Sequence, residues 1–258
     1  MADLEGLASR LIEAQATRAP IPPLTERYPD LTPEDAYAIQ RAIIDRKVAQ
    51  GARVIGRKVG LTSKAMQDML NVREPDYGHL LDTMAVEDGA QVNAAELIQP
   101  KVEPEIAFIM ARELAGPRVT ATQVLSATRW VMPALEIVDS RVENWRIKLH
   151  DTIADNGSSA LFVLGGRPTP VDNLDLRLIG VVLEKNGQIV QTGAGAAILG
   201  HPLNAVIWLA NKLAEFGTSI REGDVILPGA LTAATDAAAG DQITASFDHL
   251  GSVSVRFV

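Results

Sequence analysis

Three glutamates carry the densest chemistry in this chain. Glu103 and Glu105 stand two residues apart in Lys101-Val102-Glu103-Pro104-Glu105-Ile106-Ala107-Phe108-Ile109-Met110, a run that reads as a strand. Successive side chains on a strand point to opposite faces, so both carboxylates project from one face, close together. Unless both are fully solvated, such like charges need a cation between them, and a divalent metal bound by oxygen is the economical candidate. The other reading is an edge strand that uses charge against aggregation, with which Pro104 is compatible. A third acid, Glu136, lies in the strand-like run from Trp130 to Val138, where a carboxylate among apolar residues needs a partner. Three glutamates from two strands, with no histidine or cysteine among them, describe a hard oxygen-ligand site suited to Mg²⁺ or Mn²⁺ rather than Zn²⁺ or copper. About three octahedral positions would stay open, and the metal would act as a Lewis acid towards a chelating 2-oxo acid.

Other chemistry-bearing residues sit at element ends. Lys58 follows an apolar strand, between Gly56 and Gly60 and just before a helix start at Ser63. A solvated surface lysine is the ordinary reading of any lysine; at this place Lys58 is also a candidate for charge stabilisation or proton transfer. Arg73-Glu74-Pro75-Asp76-Tyr77-Gly78 reads as a turn-rich loop fit for a lid or a substrate contact. Ala154-Asp155-Asn156-Gly157-Ser158-Ser159 reads either as a turn or as a source of hydroxyl and amide donors for an oxyanion. His79, His150, His201 and His249 are scattered and read as surface or structural histidines. A Gly-x-Ser-x-Gly elbow and a Gly-x-Gly-x-x-Gly after a strand are both absent. A two-carboxylate glycosidase fits poorly, because acids at i and i+2 of one strand cannot flank a sugar.

Composition bounds the partners. The 258 residues suffice for a sizeable core, and with 47% apolar but only 4% aromatic residues that core must be aliphatic. A net charge of -8, from 32 acids against 24 bases, argues against nucleic acid. The absence of cysteine removes disulfides, thiol nucleophiles and thiolate metal sites together. No apolar run reaches about 18 residues and no signal-peptide pattern opens the chain, so the expectation is a cytoplasmic protein away from the membrane.

The positioning elements are legible. Asp3 to Arg18 has helical apolar spacing, stopped by Ala19-Pro20-Ile21-Pro22-Pro23. Thr32 as N-cap, Pro33 at the first position and acids at 34 and 35 open a second helix that should end near Gly51. Short strands follow, with helices expected over Ser63 to Leu70, Thr120 to Ala127 and Leu203 to Phe216. Asn186-Gly187 marks a hairpin between Leu178 to Leu183 and Gln188 to Thr192, and strands near 225–227, 242–247 and 252–257 close the chain. The expected organisation is one domain over 1–258, with a helical arm over 1–52 and a β-rich metal-binding core over 53–258.

At these motifs the sequence resembles the hydratase/decarboxylase branch of the fumarylacetoacetate hydrolase superfamily. The matching pieces are Gly56-Arg57-Lys58-Val59-Gly60-Leu61-Thr62-Ser63, Glu74-Pro75-Asp76-Tyr77-Gly78, Glu103-Pro104-Glu105-Ile106-Ala107, Pro133 to Arg141, Ala154-Asp155-Asn156, Gly200-His201-Pro202-Leu203-Asn204 and Leu250-Gly251-Ser252-Val253. The resemblance implies an α+β fold, a mixed β roll or barrel with an N-terminal helical region. It implies a metal held by Glu103, Glu105 and Glu136, with Lys58 and Asp76 as catalytic groups near the reacting carbons. It also implies substrate contacts at Leu81, Asn156, Ser158 and Ser159. Cytoplasmic homo-oligomers of the meta-cleavage degradation of aromatic compounds or sterols are implied as well. Two lyase activities share this site in the branch. One hydrates 2-hydroxypenta-2,4-dienoate (2-keto-4-pentenoate) to a 4-hydroxy-2-oxo acid; the other decarboxylates 4-oxalocrotonate (2-oxo-3-hexenedioate). Gly56 to Gly60, Trp145-Arg146-Ile147-Lys148 and Pro228-Gly229-Ala230-Leu231 look more like hydratases, whereas Gly193 to Pro202 looks more like decarboxylases and Ser158-Ser159 replaces a Ser-Cys of hydratases. The expectation is the hydratase, with the decarboxylase as alternative. A silent partner subunit in a complex of the two is a further one.

Overall fold

The computed structural model describes residues 2–258, the side chains of Met66, Met69 and Leu70 excepted. The N-terminal arm holds α1 (Leu4–Thr17), α2 (Leu24–Arg27) and α3 (Pro33–Ala49). Asp3 caps α1 by accepting from Gly6 N, and Thr32 with Asp35 forms the reciprocal capping box that opens α3. The chain then runs through β1 (Val54–Gly60), α4 (Lys64–Leu70), β2 (Asp76–Leu81), β3 (Ala85–Val86), β4 (Gln91–Val92), β5 (Lys101–Met110), α5 (Ala121–Ala127) and β6 (Thr128–Val138). It continues through α6 (Leu149–Ala154), β7 (Ser159–Leu164), β8 (Gly180–Lys185), β9 (Gln188–Ala194), α7 (Pro202–Glu215), β10 (Val225–Leu227), β11 (Thr235–Asp236), β12 (Gln242–Phe247) and β13 (Gly251–Phe257). Among the described residues no helix is long and apolar enough to cross a membrane.

The strands form two sheets. The larger has the order β2-β1-β10-β5-β6-β7-β3, with β11 pairing β5, and the smaller the order β4-β13-β12-β8-β9. Both mix parallel and antiparallel pairs, since β1 runs parallel to β10 and β13 parallel to β4. The smaller sheet packs through β12 and β13 onto β6 and β7. This α+β arrangement is the expected one.

Two expectations are corrected. β5 is an interior strand, paired along β6 on one side and with β10 and β11 on the other, so its charges do not guard an edge. Pro104 fits there because β10 meets β5 only at Phe108 and Ile109, and β11 only at Lys101 and Val102. In the gap between them the Pro104 carbonyl accepts from Leu231 N, and the missing proline N–H is not needed by a strand. Asp76, Tyr77 and Gly78, expected in a loop, instead begin β2 and pair with β1. Tertiary pairing overrides the turn-forming character of the preceding Glu74-Pro75.

The short α6 joins the arm to the larger sheet. Buried Asp151 accepts from Thr25 N at 3.0 Å, Thr25 Oγ1 at 2.7 Å and Lys148 N at 2.9 Å. Buried Gln40 of α3 donates to Tyr77 O at 2.9 Å and to Ile153 O at 2.7 Å, so one amide ties β2 to α6. Asp151→Ala should orphan these donors and destabilise the protein by about 3 kcal/mol. Urea unfolding of the metal-free protein checks this; an unchanged midpoint would show that the arm is not fastened there.

Candidate metal centre

Register brings the acids together. In the antiparallel β5–β6 pair Glu103 faces Glu136 directly, and Glu105 lies on the same face two residues along. One oxygen from each of the three lies within 4.8 Å of the others. Glu105 and Glu136 are fully buried, while Glu103 keeps partial contact with solvent and marks the open side. Glu105 Oε2 accepts from Gly229 N at 2.7 Å. Glu105 Oε1 and both Glu136 oxygens are buried with no hydrogen-bond donor. Uncompensated oxygens of this kind are costly in a dry sheet, and a hard divalent cation at their common point would satisfy all three. The donor set therefore fits Mg²⁺ or Mn²⁺.

Lys58 completes the charge balance. β1 and β2 pair it with Gly78, and β10 pairs it with Leu227. Its Nζ lies 3.2 Å from Glu136 Oε2, an ion pair without hydrogen-bond alignment, and donates to Gly157 O at 2.9 Å. Burial alone would push the ammonium down, but Glu136, then Asp76, Glu103 and Glu105, outweigh it and hold Lys58 above the ordinary lysine range, hence cationic. Asp76 is buried and moves the other way. Its desolvation outweighs Lys58 and the Thr152 hydrogen bond, so the carboxyl sits above the usual aspartate value. Glycines make room for this pair. A Cβ on Gly60 would clash with Asp76 Oδ1, and one on Gly157 would sit 2.9 Å from Lys58 Cδ. Asn156, Gly157 and Ser158 all have positive φ (56°, 60° and 53°), a left-handed turn that aims the Gly157 carbonyl at Lys58.

The remaining candidates separate. The Asn156 carboxamide brackets the His79 backbone, accepting from its N at 2.7 Å and donating to its O at 3.0 Å. Ser158 Oγ donates to Asp155 Oδ2 at 3.0 Å, inside the buried Arg141–Asp155 ion pair. Both side chains thus take part in the frame of this loop, and Asn156 Nδ2 keeps a second N–H beyond its bond to His79 O. Ser159 Oγ is buried and unpartnered; Ser159 pairs with Val138, two residues beyond Glu136. Leu81 lies in an apolar cluster with Ile44, Leu80, Met84, Ala107, Ala134, Phe162 and Leu227, and its amide donates to Met84 Sδ at 3.3 Å. Phe162 is the register partner of Glu136, so this cluster walls the carboxylates. Sequence reasoning missed Gly157, Gly229 and Thr152. Asn-Gly and Pro-Gly dipeptides signal turns at the first two, while Thr152 carries no local signal.

The charge balance sets a pH dependence. Burial, with Glu136 and Asp76 adding to it, raises Glu103 to about 7, and burial with Glu136 and Glu103 raises Glu105 well above its ordinary value. Raised acid pKa values mean that the stability these two acids contribute to the metal-free fold is fully present below the ordinary value of 4.5 and is lost as pH climbs through about 7 for Glu103. A cation needs the deprotonated forms, so its affinity should grow across the same window. Melting curves with Mg²⁺ and with chelator should therefore diverge as pH rises; parallel curves would remove the acids from metal binding.

Comparisons with known proteins agree with this geometry. The fumarylacetoacetate (FAA) hydrolase C-terminal family model matches residues 47–258. The chain is 47% identical over 256 residues to the 2-hydroxyhexa-2,4-dienoate hydratase of Comamonas testosteroni, covering 98% of this chain and 97% of that one. It is also 47% identical over 252 residues to the 4-oxalocrotonate decarboxylase of Pseudomonas sp. (strain CF600), covering 98% and 96%. Among solved structures, the 4-oxalocrotonate decarboxylase from Pseudomonas putida G7, complexed with magnesium and adipate, superposes with a TM-score of 0.96 at 43% identity over 99% of this chain and 97% of that one.

Proposed function

The chain belongs to the fumarylacetoacetate hydrolase C-terminal family, and from that premise we propose that it is a divalent-metal-dependent hydratase. Its reaction adds water to 2-hydroxypenta-2,4-dienoate or a substituted analogue and yields a 4-hydroxy-2-oxo acid. The observation that carries this reading is the trio of converging glutamates with donorless oxygens, set against a cationic lysine and an apolar wall. Glu103, Glu105 and Glu136 would hold Mg²⁺ or Mn²⁺, which when bound supplies electrostatic stabilisation to the substrate carboxylate and C2 oxygen.

The chain's own residues supply the rest. Lys58, anchored by the Gly157 carbonyl, presents a fixed positive charge to the electron-rich side of the dienolate. Phe162, Leu227, Ala107 and Ala134 exclude water beside it and suit a hydrocarbon chain. Hydration needs a proton delivered to the far end of the dienol and water added at C4. Asp76 is the acid for the first task, because its buried Oδ1 has no other partner and lies on the Lys58 side. Ser159, whose buried hydroxyl has no hydrogen-bond partner, is the candidate donor to an oxygen of the substrate.

The decarboxylase is the second reading, favoured by the 0.96 TM-score to the decarboxylase structure and by a decarboxylase relative as similar as the hydratase. The physics allows it, since a second carboxylate can leave as CO₂ into the same electron sink that hydration uses. Intact Lys58, Asp76 and all three glutamates weigh against a silent partner subunit. Assembly as a cytoplasmic homo-oligomer, its association with the cognate decarboxylase or hydratase, and a place in the meta-cleavage degradation of aromatic compounds rest on family membership alone.

A paired assay with Mg²⁺ tests the reading, with 2-hydroxypenta-2,4-dienoate and 2-oxo-3-hexenedioate supplied separately and products identified. Conversion of the dienoate to 4-hydroxy-2-oxopentanoate is the expected result; CO₂ release from the diacid alone would replace it with the decarboxylase. Glu105→Gln should abolish metal-dependent turnover with the fold retained. Lys58→Ala should spare Mn²⁺ binding and lower kcat about a hundredfold. An unaffected rate in either variant would remove that residue from the mechanism.

A further inference from the structure

Thr152 stands on α6, outside every motif that marks the site, and its Oγ1 donates to Asp76 Oδ2 at 3.0 Å. Both residues are buried. The second oxygen of the same carboxyl, Oδ1, is buried and has no hydrogen-bond partner. It lies against Gly60, in the place that a Cβ would need, and that Cβ position is itself 3.6 Å from Lys58 Nζ. One oxygen of Asp76 is therefore occupied from the α6 side, and the other is free on the lysine side.

On the reading that Asp76 carries the proton, we propose that Thr152 is a positioning residue that holds the Asp76 carboxyl with Oδ1 turned to handle it. A donor fixed on Oδ2 resists rotation of the carboxyl and occupies one of that oxygen's two lone pairs, which lowers its share of the proton. The Oδ1 atom keeps both lone pairs open and lies on the Lys58 side. Thr152 is rigid enough for this role because the residues on either side of it are tied down. Asp151 accepts from Thr25 N, Thr25 Oγ1 and Lys148 N. Gln40 Nε2 donates both to Ile153 O, next to Thr152, and to Tyr77 O, next to Asp76. The helical arm thereby sets the spacing of the two hydrogen-bonded side chains without touching the site itself. Orientation errors of about 1 Å at a reacting group cost on the order of a hundredfold in rate, so a clamp of this kind has a measurable effect.

The test uses the full-length protein saturated with Mg²⁺ and 2-hydroxypenta-2,4-dienoate, and compares Thr152→Val, Thr152→Ser and Asp76→Asn. Thr152→Val should lower kcat about tenfold or more, leaving KM within about threefold and Mn²⁺ affinity unchanged. Thr152→Ser, which keeps the hydroxyl, should return kcat to within about threefold of the parent. Should the valine variant fail to fold by circular dichroism, Thr152→Ala gives the same reading without placing a methyl group against the carboxylate. Parental kcat in the folded valine or alanine variant, with Asp76→Asn inactive, would overturn the positioning role and leave the role of Asp76 standing. A serine variant as slow as the valine one would also overturn it, since the hydroxyl would not be the cause. Parental kcat in Asp76→Asn would instead sink the proton-carrying role of Asp76, and the positioning role with it.

Discussion

Like charge held out of water is the constraint on which the rest of this structure depends. Glu103 faces Glu136 across an antiparallel pair, Glu105 stands beside them, and two of the three are fully buried. No sheet gains stability from such an arrangement by itself, because desolvation and mutual repulsion act in the same direction. Lys58 against Glu136 and the Gly229 amide against Glu105 compensate in part. They leave three oxygens without donors. The fold thus holds a strained anionic pocket whose energetics improve when a hard cation enters, which ties stability, metal affinity and chemistry to the same few atoms.

The elements around that pocket are arranged to keep it in place. β1 and β2 present Lys58 and Asp76 from adjacent strands, and glycines at 60 and 78 leave room where side chains would collide. Behind them the turn over 156–158 adopts three successive left-handed residues, a conformation that costs backbone energy and here directs one carbonyl to the lysine. Arg141 and Asp155 stiffen this turn from beneath through a buried, multiply hydrogen-bonded pair. Asn156 and Ser158 belong to the same frame, since they hold strand β2 and Asp155.

The shared site of two lyase activities has a physical explanation. Both require negative charge to be stabilised at one end of a conjugated acid, a task for the glutamate-bound cation and Lys58. They differ at the other end, where either water is added or a second carboxylate departs. The wall nearest the carboxylates is apolar, formed by Phe162, Leu227, Ala107 and Ala134, and it suits the hydrocarbon part that both substrates share.

Much of this was legible in the sequence. The period-two spacing of Glu103 and Glu105 and the isolated acid at 136 announce a hard metal site, since no apolar strand tolerates such charges without a partner. Thr32-Pro33, Asn186-Gly187 and the apolar stripe before Gly217 place α3, the β8–β9 hairpin and α7, because caps and turns are local chemistry. What the chain order could not decide was every feature made by distant segments. The interior position of β5 depends on β10 and β11, which follow it by more than a hundred residues. The extension of β2 through Asp76 depends on pairing with β1. The structural hydrogen bonds of Asn156 and Ser158 depend on β2 and Asp155, and the seating of Thr152 on Asp76 depends on α6 being held against β2 by Gln40. Residue types and spacing fixed which groups could do chemistry, because those follow from backbone periodicity and charge. Only the tertiary structure decided which of their atoms remain free to do it, because a hydrogen bond is spent on whichever partner the packed fold brings within reach.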